Sequence, residues 1–221
     1  MTNAEFTAAY LEAMHWDGSV VLDENLSMHY PVCVYSFSGR RVIALAQELE
    51  EAMEDVPRDA SLQQALDALF ELEGVRVTKE TVIGYYAGLP QFGRVLPAIA
   101  DEAALMEMLD AMQREDRLRG EVTLQDDFTC CIMQDGRMAA AAGAVIVGKM
   151  ADISVAVHPD FRAQGLGGRV TASLIRKIQD AGYTALYRVE KNNLPSVRLA
   201  QRLGLQRGFI MEGALLEFPE A

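Results

Sequence analysis

Arg162, Gly165 and Gly167 stand at the spacing R-x-x-G-x-G, with Ala163, Gln164, Leu166 and Gly168 completing the stretch. Residues of these types in this order suit one kind of chemistry, which is holding phosphate against the main chain. Glycine lets backbone approach an anion with no Cβ in the way, and arginine supplies a permanent positive charge. The spacing matches neither a dinucleotide fingerprint, which reads G-x-G-x-x-G with an acidic residue about 20 positions on, nor a P-loop, which needs Gly-Lys-Ser/Thr.

The elements that must position this turn are readable on both sides of it. Ile153, Val155 and Val157 alternate with smaller residues as in a half-buried strand, and His158-Pro159-Asp160 ends that strand because proline cannot donate to a ladder. Leu166, Val170, Leu174, Ile175 and Ile178 then recur at helical spacing, so the glycines fall at a helix N-terminus. There the first four N–H groups have no partner inside the helix and the macrodipole favours negative charge.

Strand, R-x-x-G-x-G turn and helix, in that order, resemble the acyl-CoA-binding motif of the GNAT superfamily of N-acyltransferases. A second stretch, Asn193-Leu-Pro-Ser196 through Ala200 to Gly204-Leu205, is similar to that family's other signature, N-x-x-A/S followed by a helix ending in x-x-x-G-F. Asn193 suits the cap of that helix, Pro195 its first turn and Gly204 the left-handed position at its end. The resemblance covers roughly residues 92–221.

What it implies is an α/β (α+β) fold: a GNAT-type mixed, mostly antiparallel sheet with splayed central strands, flanked by helices. Pantetheine would lie between the splayed strands and bond to backbone groups of Val155 and Val157. The implied cofactor-binding residues are Val155, Ala156, Val157, Arg162, Ala163, Gln164, Gly165, Leu166, Gly167, Gly168, Asn193 and Ser196. The implied co-substrate is acetyl-CoA (coenzyme A), with no metal. Many family members place a tyrosine seven residues after the asparagine to protonate the departing thiolate, but this sequence has Ala200 there. Solvent water, Tyr187 on the preceding strand, or Ser196 are the alternatives, and Asp152 and Glu190 are the candidate bases. His15, His29 and His158 lack metal-ligand spacing.

Half of the 221 residues are apolar, enough for a substantial core. The net charge of −12 argues against a nucleic-acid surface. Its distribution is uneven: residues 151–221 hold nine Lys/Arg against seven Asp/Glu, and residues 1–150 eleven against twenty-five. The basic end coincides with the phosphate turn. Cys33, Cys130 and Cys131 show no C-x-x-C spacing and read as buried hydrophobes. Neither a signal pattern nor an apolar run of about 18 residues is present, so a cytoplasmic protein without a membrane partner is expected.

Along the chain, Thr2-Asn3-Ala4-Glu5 reads as the capping box of a helix running up to Trp16, a loop with a short strand follows, and Pro31 to Phe37 reads as a strand. Val42, Leu45, Ala46, Leu49 and Met53 predict a second helix, and Ser61 to Leu72 a capped third. Val75 to Ala87 reads as a strand or hairpin. Gly88-Leu89-Pro90 marks the boundary between an N-terminal α/β lobe, 1–90, and an acetyltransferase domain, 91–221. A short strand is expected at Arg94 to Pro97, then a helix opened by Asp101-Glu102. Strands are expected over 128–133, 138–147, 150–157 and 184–189, and a final hairpin broken at Glu212-Gly213. The activity implied is transfer of an acetyl (acyl) group from acetyl-CoA to a primary amine of a small molecule or protein. A catalytically weak acyl-CoA sensor or interaction module is the alternative that Ala200 motivates. The lobe is expected to wall the acceptor side of the cleft, with a lobe that only stabilises the chain or mediates dimerisation as the other reading.

Overall fold

The computed structural model describes residues 1–89 and 94–218. In chain order its elements are α1 (Asn3–Ala13), β1 (Val20–Asp23), β2 (Val32–Phe37), β3 (Arg40–Ala46), α2 (Leu62–Leu69), β4 (Arg76–Tyr86), α3 (Glu102–Asp110), α4 (Arg114–Arg119), β5 (Phe128–Gln134), β6 (Arg137–Val147), β7 (Met150–Val157), α5 (Leu166–Asp180), β8 (Thr184–Glu190), α6 (Leu194–Arg202) and β9 (Gln206–Glu217). The fold is mixed α/β. It divides into two compact units, one of Met1–Thr2, Tyr85–Arg188 and Leu194–Gln206, the other of Asn3–Gly84, Val189–Asn193 and Arg207–Ala221. Pro90, the last residue of the expected boundary, lies outside the described residues.

In the unit that begins at Asn3 the strands run in the order β1-β3-β2-β9-β4. One correction to the sequence reading concerns Val42 to Met53, which is not one helix: Val42 to Ala46 belong to strand β3, and only the part from Gln47 is helical, as a 3-10 helix Gln47–Asp55. Ser38-Gly39, with Gly39 at φ +81°, closes β2 onto β3 as a tight hairpin. β3 lies between β1 and β2, and its Val42 to Ala46 run is 0% exposed at every residue, so both of its faces are covered and it does not alternate. A second correction concerns the expected last hairpin, which is the single strand β9, paired antiparallel with β2 from Val32↔Ala214 to Phe37↔Phe209. A Cβ on Gly213 would overlap the Tyr30 hydroxyl, so this glycine makes room for a ring and not a turn. The core here is Val32, Val34, Ile43, Leu45, Leu66 and Leu216, each at most 1% exposed. The expected capping box of α2 is present, Ser61 Oγ accepting from Gln64 N–H (3.3 Å) and Gln64 Oε1 from Ser61 N–H (2.9 Å).

The other unit orders its strands β8-β7-β6-β5. The two hairpins through Asp135-Gly136 and Gly148-Lys149 are antiparallel, and α5 returns the chain so that β8 runs parallel to β7. Ala139 to Ala142, all 0% exposed on β6, let α3 and α5 pack close. Arg94 to Pro97 forms no strand; the Pro97 carbonyl accepts one bond from Cys131 N–H (3.0 Å) and Leu96 N–H donates to Ser173 Oγ (2.7 Å). Helix α4 carries no apolar stripe and is not among the elements that periodicity predicts. All three cysteines are free and buried.

Candidate active site

The register of β6 and β7 decides which backbone groups of β7 are available. His158 N–H donates to the Ala139 carbonyl (3.0 Å), continuing a ladder in which Val157 faces Ala140, Ala156 faces Ala141 and Val155 faces Ala142. In an antiparallel pair, residues alternate between exchanging both bonds with the partner and turning both groups away. His158, Ala156 and Ser154 are therefore turned toward β6, while Ile153, Val155 and Val157 present N–H and C=O on the opposite edge. On that edge β8 pairs with β7 only from Met150↔Thr184 to Asp152↔Leu186. Beyond Asp152 the two parallel strands part. The outward backbone of Val155 and Val157 is thus without a partner on β8.

At the end of β7, Pro159–Phe161 form a 3-10 turn capped by His158, whose Nδ1 accepts Asp160 N–H (3.1 Å). Arg137 holds this turn from β6: Nη1 donates to Asp160 Oδ2 at 3.0 Å, Nη2 lies 2.7 Å from His158 Nε2, and the guanidinium stands 5.7 Å from the Phe161 ring centre. Ala163 and Gly165 then take left-handed backbone, φ +62° and +74°, which turns the chain sharply into α5. The first bond inside α5 runs from Arg169 N–H to the Gly165 carbonyl (3.2 Å). The N–H groups of Leu166, Gly167 and Gly168 thus have no partner within the helix, and Gly165 has no side chain to cap them. A Cβ on Gly165 would meet nothing within 4 Å, whereas on Gly167 and Gly168 it would meet Val157 and Leu199 at 3.4 and 3.6 Å. One glycine opens the helix end outward; at the other two a methyl would make ordinary contact with β7 and α6. Exposed Gln164 flanks this turn, as does Arg162, whose Nη2 donates to Asp116 Oδ2 at 2.9 Å. Uncapped amides and a guanidinium suit a pyrophosphate, and the open strand edge beside them suits an amide-bearing chain.

Tyr187, buried on β8, hydrogen-bonds Ser196 on α6. Burial pushes its phenol pKa up, and the Ser196 hydroxyl offsets part of that shift. Asp152 stands where β7 and β8 last pair, and its carboxylate accepts from Arg188 Nε (2.7 Å) and pairs with Arg188 Nη2. Glu190 ends β8 within the unit that begins at Asn3, as does Asn193, whose N–H donates to the Glu190 carbonyl (2.9 Å). Ala200, at the place of the family's tyrosine, is fully buried. Sequence reasoning missed Arg137 and Asp116. Both look like ordinary surface charges, and nothing local ties them to partners 21 to 46 residues away. Among the described residues no group of three or more His, Cys, Asp or Glu is placed to hold a metal ion, and no helix is long and apolar enough to cross a membrane.

Both the sequence and the fold of this region have counterparts among known proteins. The model of the acetyltransferase (GNAT) family matches residues 96–205. No curated protein matches the chain. Among solved structures, a protein of Novosphingobium aromaticivorans described as a GNAT-family acetyltransferase is similar at TM-score 0.55 and 21% identity, over 66% of this chain and 69% of that one. A GCN5-related N-acetyltransferase from Sphaerobacter thermophilus gives 0.51 and 16%, over 71% and 58%. A GNAT-family acetyltransferase from Colwellia psychrerythraea gives 0.50 and 14%, over 68% and 60%. The last two are thus matched over less than two thirds of their own length, and at these identities the likeness is one of fold.

Proposed function

Residues 96–205 belong to the GNAT family of acetyltransferases, and from that premise we propose that the chain moves an acetyl group from acetyl-CoA to a primary amine of a small molecule or protein by direct attack. The observation that carries this reading is the splayed edge of β7 leading directly into the uncapped start of α5. Acetyl-CoA would supply an activated thioester. The N–H groups of Leu166, Gly167 and Gly168, with Arg162, would hold its phosphates, and the outward backbone of Val155 and Val157 its amide-bearing arm. Such holding contributes by converting a bimolecular encounter into an oriented one. Tyr187, kept protonated by burial and oriented by Ser196, would donate a proton to the departing sulfur. Asp152 or Glu190 would take the amine proton, and Arg188 already pairs with Oδ2 of Asp152. The three free, buried thiols support a reducing, cytoplasmic setting.

Ala200 supports one other reading, an acyl-CoA sensor with little turnover. Free-thiol release with a panel of amines separates the two, since binding without turnover belongs to the sensor. On either reading coenzyme A at about 100 times its Kd should stabilise the chain by about 2.7 kcal/mol, visible as a raised Tm. Gly165→Glu, which sets a carboxylate into the open side of the turn, should abolish that shift while leaving the circular dichroism spectrum unchanged. A wild-type Tm indifferent to millimolar acetyl-CoA would sink the assignment.

A further inference from the structure

Helix α4 and the glycine that ends it lie on both polar parts of the donor cleft, the phosphate turn and the open strand edge. At the phosphate part, Asp116 holds Arg162 with a 2.9 Å ion pair. At the strand edge, Gly120 backs onto Val155: a Cβ on Gly120 would stand 2.6 Å from the Val155 carbonyl oxygen. That carbonyl is one of those the register turns away from β6, so the end of α4 occupies the edge that β8 leaves open. The hold is weak. α4 is six residues long with no buried side chain, and the Arg162 and Asp116 side chains keep 46% and 35% of their exposure. An ion pair that open adds little stability.

We propose that α4 is a displaceable strap and that Asp116 is a specificity-determining residue for the acyl donor, a role that rests on the acyl-CoA reading of the cleft and extends it. The Asp116 carboxylate stands on Arg162 where the donor's phosphate would stand, and Gly120 lies where the donor's amide arm would meet Val155. A ligand carrying only phosphate, or only the amide arm, relieves one contact; coenzyme A relieves both. A ligand shifts such an equilibrium only by its differential affinity for the two states, so the strap selects donors that present both groups against free phosphates and plain nucleotides.

Hydrogen exchange of peptides spanning 114–121 in the full chain tests this with coenzyme A, pantetheine and adenosine 3′,5′-bisphosphate as probes. Saturating coenzyme A should raise exchange there, and each half-ligand should raise it less. Asp116→Asn should tighten coenzyme A about three-fold, the scale of a partly exposed ion pair, and should tighten pantetheine as well, since it must displace the same strap. Asp180→Asn removes an equal charge from Arg176 within α5, where the pair stands at 3.5 Å and touches no part of α4, and should leave both affinities as they are. Lowered or unchanged exchange on coenzyme A binding, or equal tightening by the two substitutions, overturns the strap. If the wild-type chain fails to bind coenzyme A at all, the acyl-CoA reading itself falls and the strap falls with it.

Discussion

A buried phenol bonded to a serine hydroxyl holds its proton above the ordinary tyrosine range, and Tyr187 is such a group. Were it the proton source for the departing sulfur, Tyr187→Phe would lower kcat and leave coenzyme A affinity alone. General acids contribute about 100- to 10,000-fold, but a thiolate with an ordinary pKa near 8.5 leaves with little help, so a loss of about ten-fold is expected. The sign of the pH dependence follows from the direction of the shift. Because the folded pKa is raised, the phenol stays protonated through neutral pH, and Tyr187 imposes no fall in kcat below about pH 10. An unchanged kcat in Tyr187→Phe would assign the proton to water. At this scale the sequence was legible where a residue acts through its own backbone, as Gly165 and Pro159 do. It was silent where a charge acts on a distant partner, as Asp116 does on Arg162.

β3 and β9 show why whole elements were less legible than the turn between β7 and α5. Val42, Leu45 and Ala46 fit a helical period only because a strand covered on both faces is apolar throughout, and any period can be drawn through such a run. The β7-α5-β8 crossover carried local signals at every step: alternation, proline, glycines, then a clean 3.6-residue stripe. Gly213 misled for a different reason, since a glycine that yields to a neighbouring ring looks in sequence like one that bends the chain. Gly213→Ala should therefore destabilise the protein by about 1–3 kcal/mol, as overpacking does, read from the denaturation midpoint. Tyr30→Phe in the same chain should recover only part, because the ring as well as the hydroxyl stands over that position. A neutral Gly213→Ala would mean that the strand bends there after all.

The partition of the whole molecule does not follow the chain's linear order, and this bears on any attempt to isolate residues 91–221. β9, near the C-terminus, pairs along six residues with β2, and its Ala214 and Leu216 are 0% exposed in a core with Val32, Val34, Ile43 and Leu45. Phe209 likewise packs among Phe6, Tyr10, Tyr35 and Phe37, with ring centres 4.9–6.4 Å apart. Removing residues 1–90 strips those partners away. Each large side chain so exposed forfeits about 1.5–3 kcal/mol, and β9 is left with an unpaired, apolar edge of the kind that aggregates. Against a typical net stability of about 5–15 kcal/mol, two such losses with an open ladder are enough to matter. The fragment 91–221 expressed alone is therefore expected to be insoluble or to lack a cooperative thermal transition, and co-expression with 1–90 should restore both solubility and the coenzyme A shift. If the fragment is instead monomeric, unfolds cooperatively and responds to coenzyme A like the full chain, β9 is dispensable to the acetyltransferase unit, and the N-terminal residues serve something other than its folding.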